Sequence, residues 1–128
     1  MSGTPEMEKL LSNLQIQLQR GLIGLISMLV LTKKPMHGYE LMQQVDRITG
    51  GVISVKEATL YPTLRRMERM GFVSSEWQRS SRGPKKRIYH ITQFGDEYLE
   101  EALRRYDKIL MKVGKMIRNH YRRSGTKR

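Results

Sequence analysis

The stretch from Ser54 to Phe72, SVKEATLYPTLRRMERMGF, limits the fold more than any other part of the chain. Leu60, Leu64, Met67 and Gly71 follow one another at helical intervals and share one face. On steps of about 100° per residue, the opposite arc carries Thr59, Pro62, Thr63, Arg65, Arg66 and Arg69. Ser54 and Glu57 have capping-box spacing: the hydroxyl takes one free helix N–H and the carboxylate reaches back for another. Gly71 suits the left-handed residue that ends a helix. Pro62 removes a backbone hydrogen bond from a helix begun at Val55, at a cost of up to ~3 kcal/mol. A start near Thr59 would place Pro62 in the first turn at no loss. The expectation is the capped start, with a bend at Pro62. A roof of Arg and short hydroxyls suits a nucleic-acid groove, because Arg pairs bidentately with guanine edges or phosphate and Thr reaches base or backbone. A solvated charged face has a partly similar composition, so this helix alone does not decide.

Charge adds weight. The 128 residues carry 24 Lys and Arg against 12 Asp and Glu, a formal net charge of +12. That balance favours a polyanionic partner: DNA, RNA or an anionic membrane surface. The length suits one domain, or a small domain with an oligomerising arm. With no cysteine there is no disulfide framework and no thiolate zinc site. No secretory signal is visible. The apolar run Leu22–Leu31 is short of the roughly twenty residues that span a bilayer and reads as a buried core helix.

Ahead of it, Met7, Leu10, Leu11, Leu14 and Leu18 form one stripe of an amphipathic helix that must dock on something. Its polar face has Gln15, Gln17 and Gln19 where a membrane-surface helix favours Lys and Arg. Gly21 and Gly24 are poor helix-interior residues and suit close approach of another backbone. Pro35 stops the core helix. Tyr39, Leu41, Met42, Val45 and Ile48 then make a short amphipathic helix, ended by Thr49-Gly50-Gly51. A helix, a short turn and a second polar-roofed helix form the helix-turn-helix pattern.

Beyond Gly71 the pattern turns to β-type residues. Phe72–Gln78 and Lys86–Thr92 read as two antiparallel strands with a tip at 79–85. Arg79, Arg82, Lys85, Lys86 and Arg87 make this hairpin basic, as befits a wing. Thr92 caps a last helix in which Leu99, Leu103, Tyr106, Leu110, Val113 and Ile117 form a heptad seam. A monomer could cover that seam with the first helix, and a homodimer with the same helices of a second subunit. The expected organisation is an N-terminal amphipathic helix at 1–20, a winged helix-turn-helix at 21–95, a dimerisation helix at 96–123 and a disordered basic tail at 124–128. The fold class is mainly α with a small β-hairpin.

Pro35-Met36-His37-Gly38-Tyr39-Glu40-Leu41, Thr49-Gly50-Gly51, Thr59-Leu60-Tyr61-Pro62, Leu64-Arg65-Arg66-Met67-Glu68 and Gly71-Phe72-Val73 resemble the PadR-type transcriptional regulators. So do Ser75-Glu76-Trp77, Gly83-Pro84, Lys86-Arg87-Ile88-Tyr89 and Thr92-Gln93-Phe94-Gly95. The ordered set runs from about Gly21 to Gly95 and is far more specific than any one motif. The resemblance implies a cytoplasmic, nucleoid-associated winged helix-turn-helix dimer joined largely by its first and last helices. It also implies repression of nearby promoters, relieved in many members by a small effector. Many members have Pro or Gly where this chain has Lys56 and Glu57, so its sequence preference need not match any relative's.

On this reading Lys56, Thr59, Thr63 and Arg66 lie along one edge of the exposed arc, where base edges or the groove are met. Tyr39, Tyr61 and Arg65 are placed for phosphates, which position without specifying. Arg82, Lys85 and Lys86 in the wing meet phosphate or the minor groove. His37, His90 and His120 are scattered, without metal-ligand spacing. No nucleophile–base arrangement, phosphate loop or cofactor motif stands out, so catalysis has no visible carrier. Trp77 and the methionines suit either an effector pocket or soft core filling. The rival readings are an RNA-binding or ribosome-associated winged-helix module, and a protein-interaction module built on the heptad helix.

Overall fold

A computed structural model of the protein describes residues 3–79 and 83–125. Helix α1 (Pro5–Leu31) starts where Thr4 accepts a hydrogen bond from the Met7 N–H, with Pro5 in the first turn where its missing donor costs nothing. It runs without a break through Gly21 and Gly24, so the first amphipathic stripe and the core run belong to one helix of 27 residues. That length could cross a bilayer, unlike the core run alone. Yet Ile23, Ser27, Met28, Val30 and Leu31 are buried within the protein, as in a core helix. A Cβ at Gly24 would lie at ordinary contact distance from the Met67 and Thr63 side chains, and one at Gly21 would point into open space.

After Pro35 comes an element the sequence did not announce. Strand β1 (Met36–His37) pairs antiparallel with β3 (Lys86–Ile91), Met36 facing Tyr89. Helix α2 (Gly38–Ile48) follows at once. Thr49 ties the next turn, its hydroxyl donating to the Val45 carbonyl and accepting from the Ile53 N–H. Gly50 and Gly51 both take positive φ there, which side chains resist.

Helix α3 (Glu57–Arg69) begins two residues later than the capping box would have it. Ser54 instead donates its hydroxyl to Asp46 Oδ1 at 2.7 Å, and Lys56 occupies the N-cap without a side-chain bond. Pro62 therefore sits inside the helix. The other end is as expected. Gly71 at φ 82° closes a Schellman motif, with the Gly71 N–H on the Glu68 carbonyl and the Phe72 N–H on that of Met67.

Strand β2 (Val73–Gln78) pairs with β3 from Val73↔Ile91 to Gln78↔Lys86, completing a sheet of order β1-β3-β2. Helix α4 (Gln93–Ser124) is capped by Thr92, whose Oγ1 accepts from the Gly95 N–H at 2.9 Å. It ends on left-handed Gly125, so Ser124 is helical, and residues 126–128 of the expected tail lie outside the described residues. The core joins α1, α2, α3, the sheet and the start of α4 around Leu31, Leu41, Val45, Leu60, Leu64, Val73 and Leu99.

Candidate nucleic-acid interface

The buried side of α3 is Leu60, Thr63, Leu64 and Met67. Thr63 thus lines the groove from a buried position and not from its open edge. It is 6% exposed, and its hydroxyl donates to the Thr59 carbonyl within the helix. The cause is α1, which packs across that flank through Gly24 and widens the apolar floor beyond what α3's own periodicity indicates. Arg65, Arg66 and Arg69 remain exposed, and Lys56 stands exposed at the N-terminus of α3.

Two hollows flank the ridge. On the α1 side a groove of about 500 Å³ is bordered by Arg20, Gly21, Thr59, Pro62, Thr63 and Arg66. Arg20 was not legible as a site residue. It is one base in a mostly uncharged stretch, and the α1–α3 packing alone brings it beside Arg66. On the wing side a cleft of about 520 Å³ is lined by Tyr39, Tyr61, Trp77, Lys85, Lys86 and Tyr89, among others. Tyr39 is exposed in the first turn of α2. Tyr61 crosses from α3 onto Gly38, where any Cβ would collide with its ring. Arg82 lies outside the described residues.

The wing is tied to α3 by a polar strap. Arg87 Nε donates to Ser75 Oγ at 2.7 Å, and that hydroxyl donates to Glu68 Oε2 at 2.7 Å. An Arg87 nitrogen lies 3.8 Å from the same carboxylate, and the guanidinium sits 5.1 Å from the centre of the Trp77 ring. Ser74 and His90 share a short hydrogen bond across the same strand pair. Burial, and then the Glu68 carboxylate, push the Tyr89 phenol above its usual value. Lys34, 2.8 Å from Glu40, holds that carboxyl below its own. Glu68, Ser75 and Arg87 therefore tie the wing to α3.

The heptad seam divides in two. Leu99 is 2% exposed, at home in the protein's own core, which removes it from the expected dimer surface. Leu103 packs against that core, and the Tyr106 hydroxyl donates to the Gly21 carbonyl at 3.1 Å. Leu110, Val113 and Ile117 are exposed. So are Met7, Leu10, Leu11, Leu14, Ile16 and Leu18 on the first half of α1.

An Arg-bearing second helix laid on a helix-turn frame, with a basic hairpin behind it, defines a winged helix-turn-helix protein of the DNA-binding class. Comparison with known proteins agrees. The profile of the Transcriptional regulator PadR-like family matches residues 28–101. A PadR family transcriptional regulator from Eggerthella lenta superposes with a TM-score of 0.73 at 28% identity, over 89% of this chain and 97% of that one. An uncharacterized protein X of Lysinibacillus sphaericus is 30% identical over 90 residues, 70% of this chain and 83% of that protein. The transcriptional regulator YqjI of Escherichia coli is 28% identical over 89 residues, 70% of this chain and 41% of YqjI. The chain belongs to the PadR-like family of transcriptional regulators.

Proposed function

We propose that the protein is a homodimeric repressor that holds promoter DNA with α3 and the wing and releases it when a small effector binds. The observation that carries the reading is the exposed basic row of Lys56, Arg65 and Arg66 on α3, continued by Lys85 and Lys86 in the wing. None of these five forms an ion pair among the described residues. α3 enters the major groove, with Lys56, Thr59 and Arg66 toward base edges and Arg20 joining them from α1. Tyr39, Tyr61, Arg65 and the wing lysines hold phosphates.

Dimerisation is supported by the exposed apolar stripes of α1 and of the far half of α4, which a second copy covers. Effector relief is supported by a hollow of about 160 Å³ between α1, α3 and α4, bordered by Met28, Met67, Met70, Tyr98 and Arg66. A ligand there acts on the recognition helix from behind. Genome-wide mapping of bound DNA, beginning with the protein's own upstream region, supplies the duplex for the test. Its affinity is expected to fall by about 10³–10⁵ between about 50 and 200 mM salt. Equal retention of structured RNA at matched salt would transfer the reading to an RNA-binding module.

A further inference from the structure

The second half of α4 carries a charge pattern that neither promoter reading nor dimerisation uses. After Asp107 the helix has no acidic residue, while Lys108, Lys112, Lys115, Arg118, Arg122 and Arg123 are all exposed. Lys108, Lys112, Lys115 and Arg122 fall within about 80° of arc on helical steps, directly opposite Leu110, Val113 and Ile117. Their span, from Lys108 to Arg122, is about 21 Å at 1.5 Å per residue. That matches the length of about six base pairs of duplex, which carries one phosphate charge per 1.7 Å of axis.

The first half of the same helix is an internal control. There the polar face mixes signs, with Asp96, Glu97, Glu100 and Glu101 beside Arg104 and Arg105, and Glu101 pairs with both arginines at 3.0 and 3.6 Å. That is how a merely solvated face neutralises itself. The second half has cations at successive turns and no ion pair among the described residues. Like charges four residues apart on a helix destabilise it. The helix dipole favours cations only in the last turn, and Lys108 lies several turns before it. Burying the apolar seam in a dimer turns this stripe outward.

We propose that the Lys108–Arg122 stripe is a second duplex surface that holds phosphates of DNA flanking the operator. The proposal rests on promoter binding by the winged helix and extends the footprint beyond it. An anionic lipid surface has similar charge, but it would need the seam open to the bilayer instead of closed on a second copy.

The test compares the full-length protein with the Lys108→Gln/Lys112→Gln/Lys115→Gln/Arg122→Gln variant, substitutions that keep good helix formers. Two duplexes are used: the segment of its own upstream DNA protected in footprinting, and that segment extended by about 10 base pairs, one helical turn, at each end. The wild type is expected to bind the extended duplex more tightly. The variant is expected to lose about ten-fold or more on the extended duplex and little on the short one, with its salt slope on the extended duplex lower by about three to four. Sedimentation and thermal unfolding should be unchanged. If the wild type retains the short duplex but gains nothing from extension, the stripe is not a DNA surface and the promoter reading stands. If it retains neither duplex, the promoter reading falls as well. Wild-type flotation with phosphatidylglycerol vesicles that the variant loses, with DNA affinity unaltered, would overturn the proposal in favour of a lipid surface.

Discussion

Arg87 reaches Glu68 through the Ser75 hydroxyl, with both hydrogen bonds at 2.7 Å, and also directly across 3.8 Å. Glu68 belongs to the recognition helix, and Ser75 and Arg87 belong to the wing, so the strap fixes one reading element against the other. Ser75→Ala is expected to cost about 1–2 kcal/mol, a charged hydrogen bond discounted for its partial exposure. Urea unfolding measures that cost. Trp77 is the sole tryptophan, so its emission should shift as the guanidinium over its ring is freed. An unchanged midpoint and unchanged emission would show that the strap does not hold the wing.

Two buried glycines separate stability from DNA binding. A Cβ at Gly95 would run into the Phe72 backbone, which cannot yield without moving the joint between β2 and α4. Gly95→Ala is therefore expected to cost about 1–3 kcal/mol or more in unfolding measurements. At Gly38 the obstacle is the Tyr61 side chain, with its Cζ 2.7 Å from the new methyl. That ring can swing into the open wing cleft. Gly38→Ala should lower DNA affinity more than it lowers the unfolding midpoint.

Tyr89 sets an alkaline limit. Burial raises its phenol above 10.0, so on going to high pH the unfolded chain releases that proton first. Its contribution is fully present below about pH 10 and is lost as pH rises through the folded-state value. Tyr89→Phe removes the titration. Its stability should fall less steeply than the wild type's above about pH 10, read by urea midpoints across pH. Parallel curves would mean that the phenol ionises as freely in the fold as out of it. Glu40 works in the opposite sense: its depressed value gives stability that is lost on acidification, and exposure keeps the effect small.

Local rules were legible where the local interaction had no competitor. Gly71 had no rival for the left-handed position after α3, and Thr92 none for the cap of α4. The strand limits at Gln78 and Lys86 follow from the turn residues between them. Ser54 failed as a cap because Asp46, eight residues back and invisible to a local motif, took its hydroxyl. β1 is two residues long and exists only as a partner of β3, so it has no periodicity to read. The burial of Thr63 and the place of Arg20 share one cause that neither helix carries alone: α1 packs against α3, with Gly24 beside Thr63 and Met67. The heptad spacing of α4 does not tell that the core takes Leu99 while leaving Leu110 outside.

That division makes the dimer testable with two substitutions of the same kind. Leu110 is 49% exposed, so Leu110→Asp leaves the subunit's own core intact. It places an unpaired charge in any helix–helix seam, a cost of several kcal/mol. Sedimentation should show a folded monomer with its helical content retained. Leu99→Asp puts the charge into the core and should unfold the chain. A Leu110→Asp protein that sediments as an unchanged dimer would remove the far half of α4 from the interface.

The last expectation separates the reading side chain from the anchoring one. Arg66 is exposed on α3 and borders the groove with Thr59 and Arg20, while Lys86 opens β3 at the wing cleft. If α3 lies in the major groove, Arg66→Ala loses a base contact worth about 1–3 kcal/mol on the operator and much less on scrambled duplex. Lys86→Ala loses a phosphate contact, which should weaken both duplexes about equally and lower the salt slope by about one. The two proteins must then differ in the ratio of operator to scrambled affinity, measured at one fixed salt concentration, and not merely in affinity. Equal weakening of both duplexes by Arg66→Ala would make Arg66 an anchor. With Thr63 buried under α1, base readout would then fall to Lys56 and Thr59, and to Arg20 reaching across the groove.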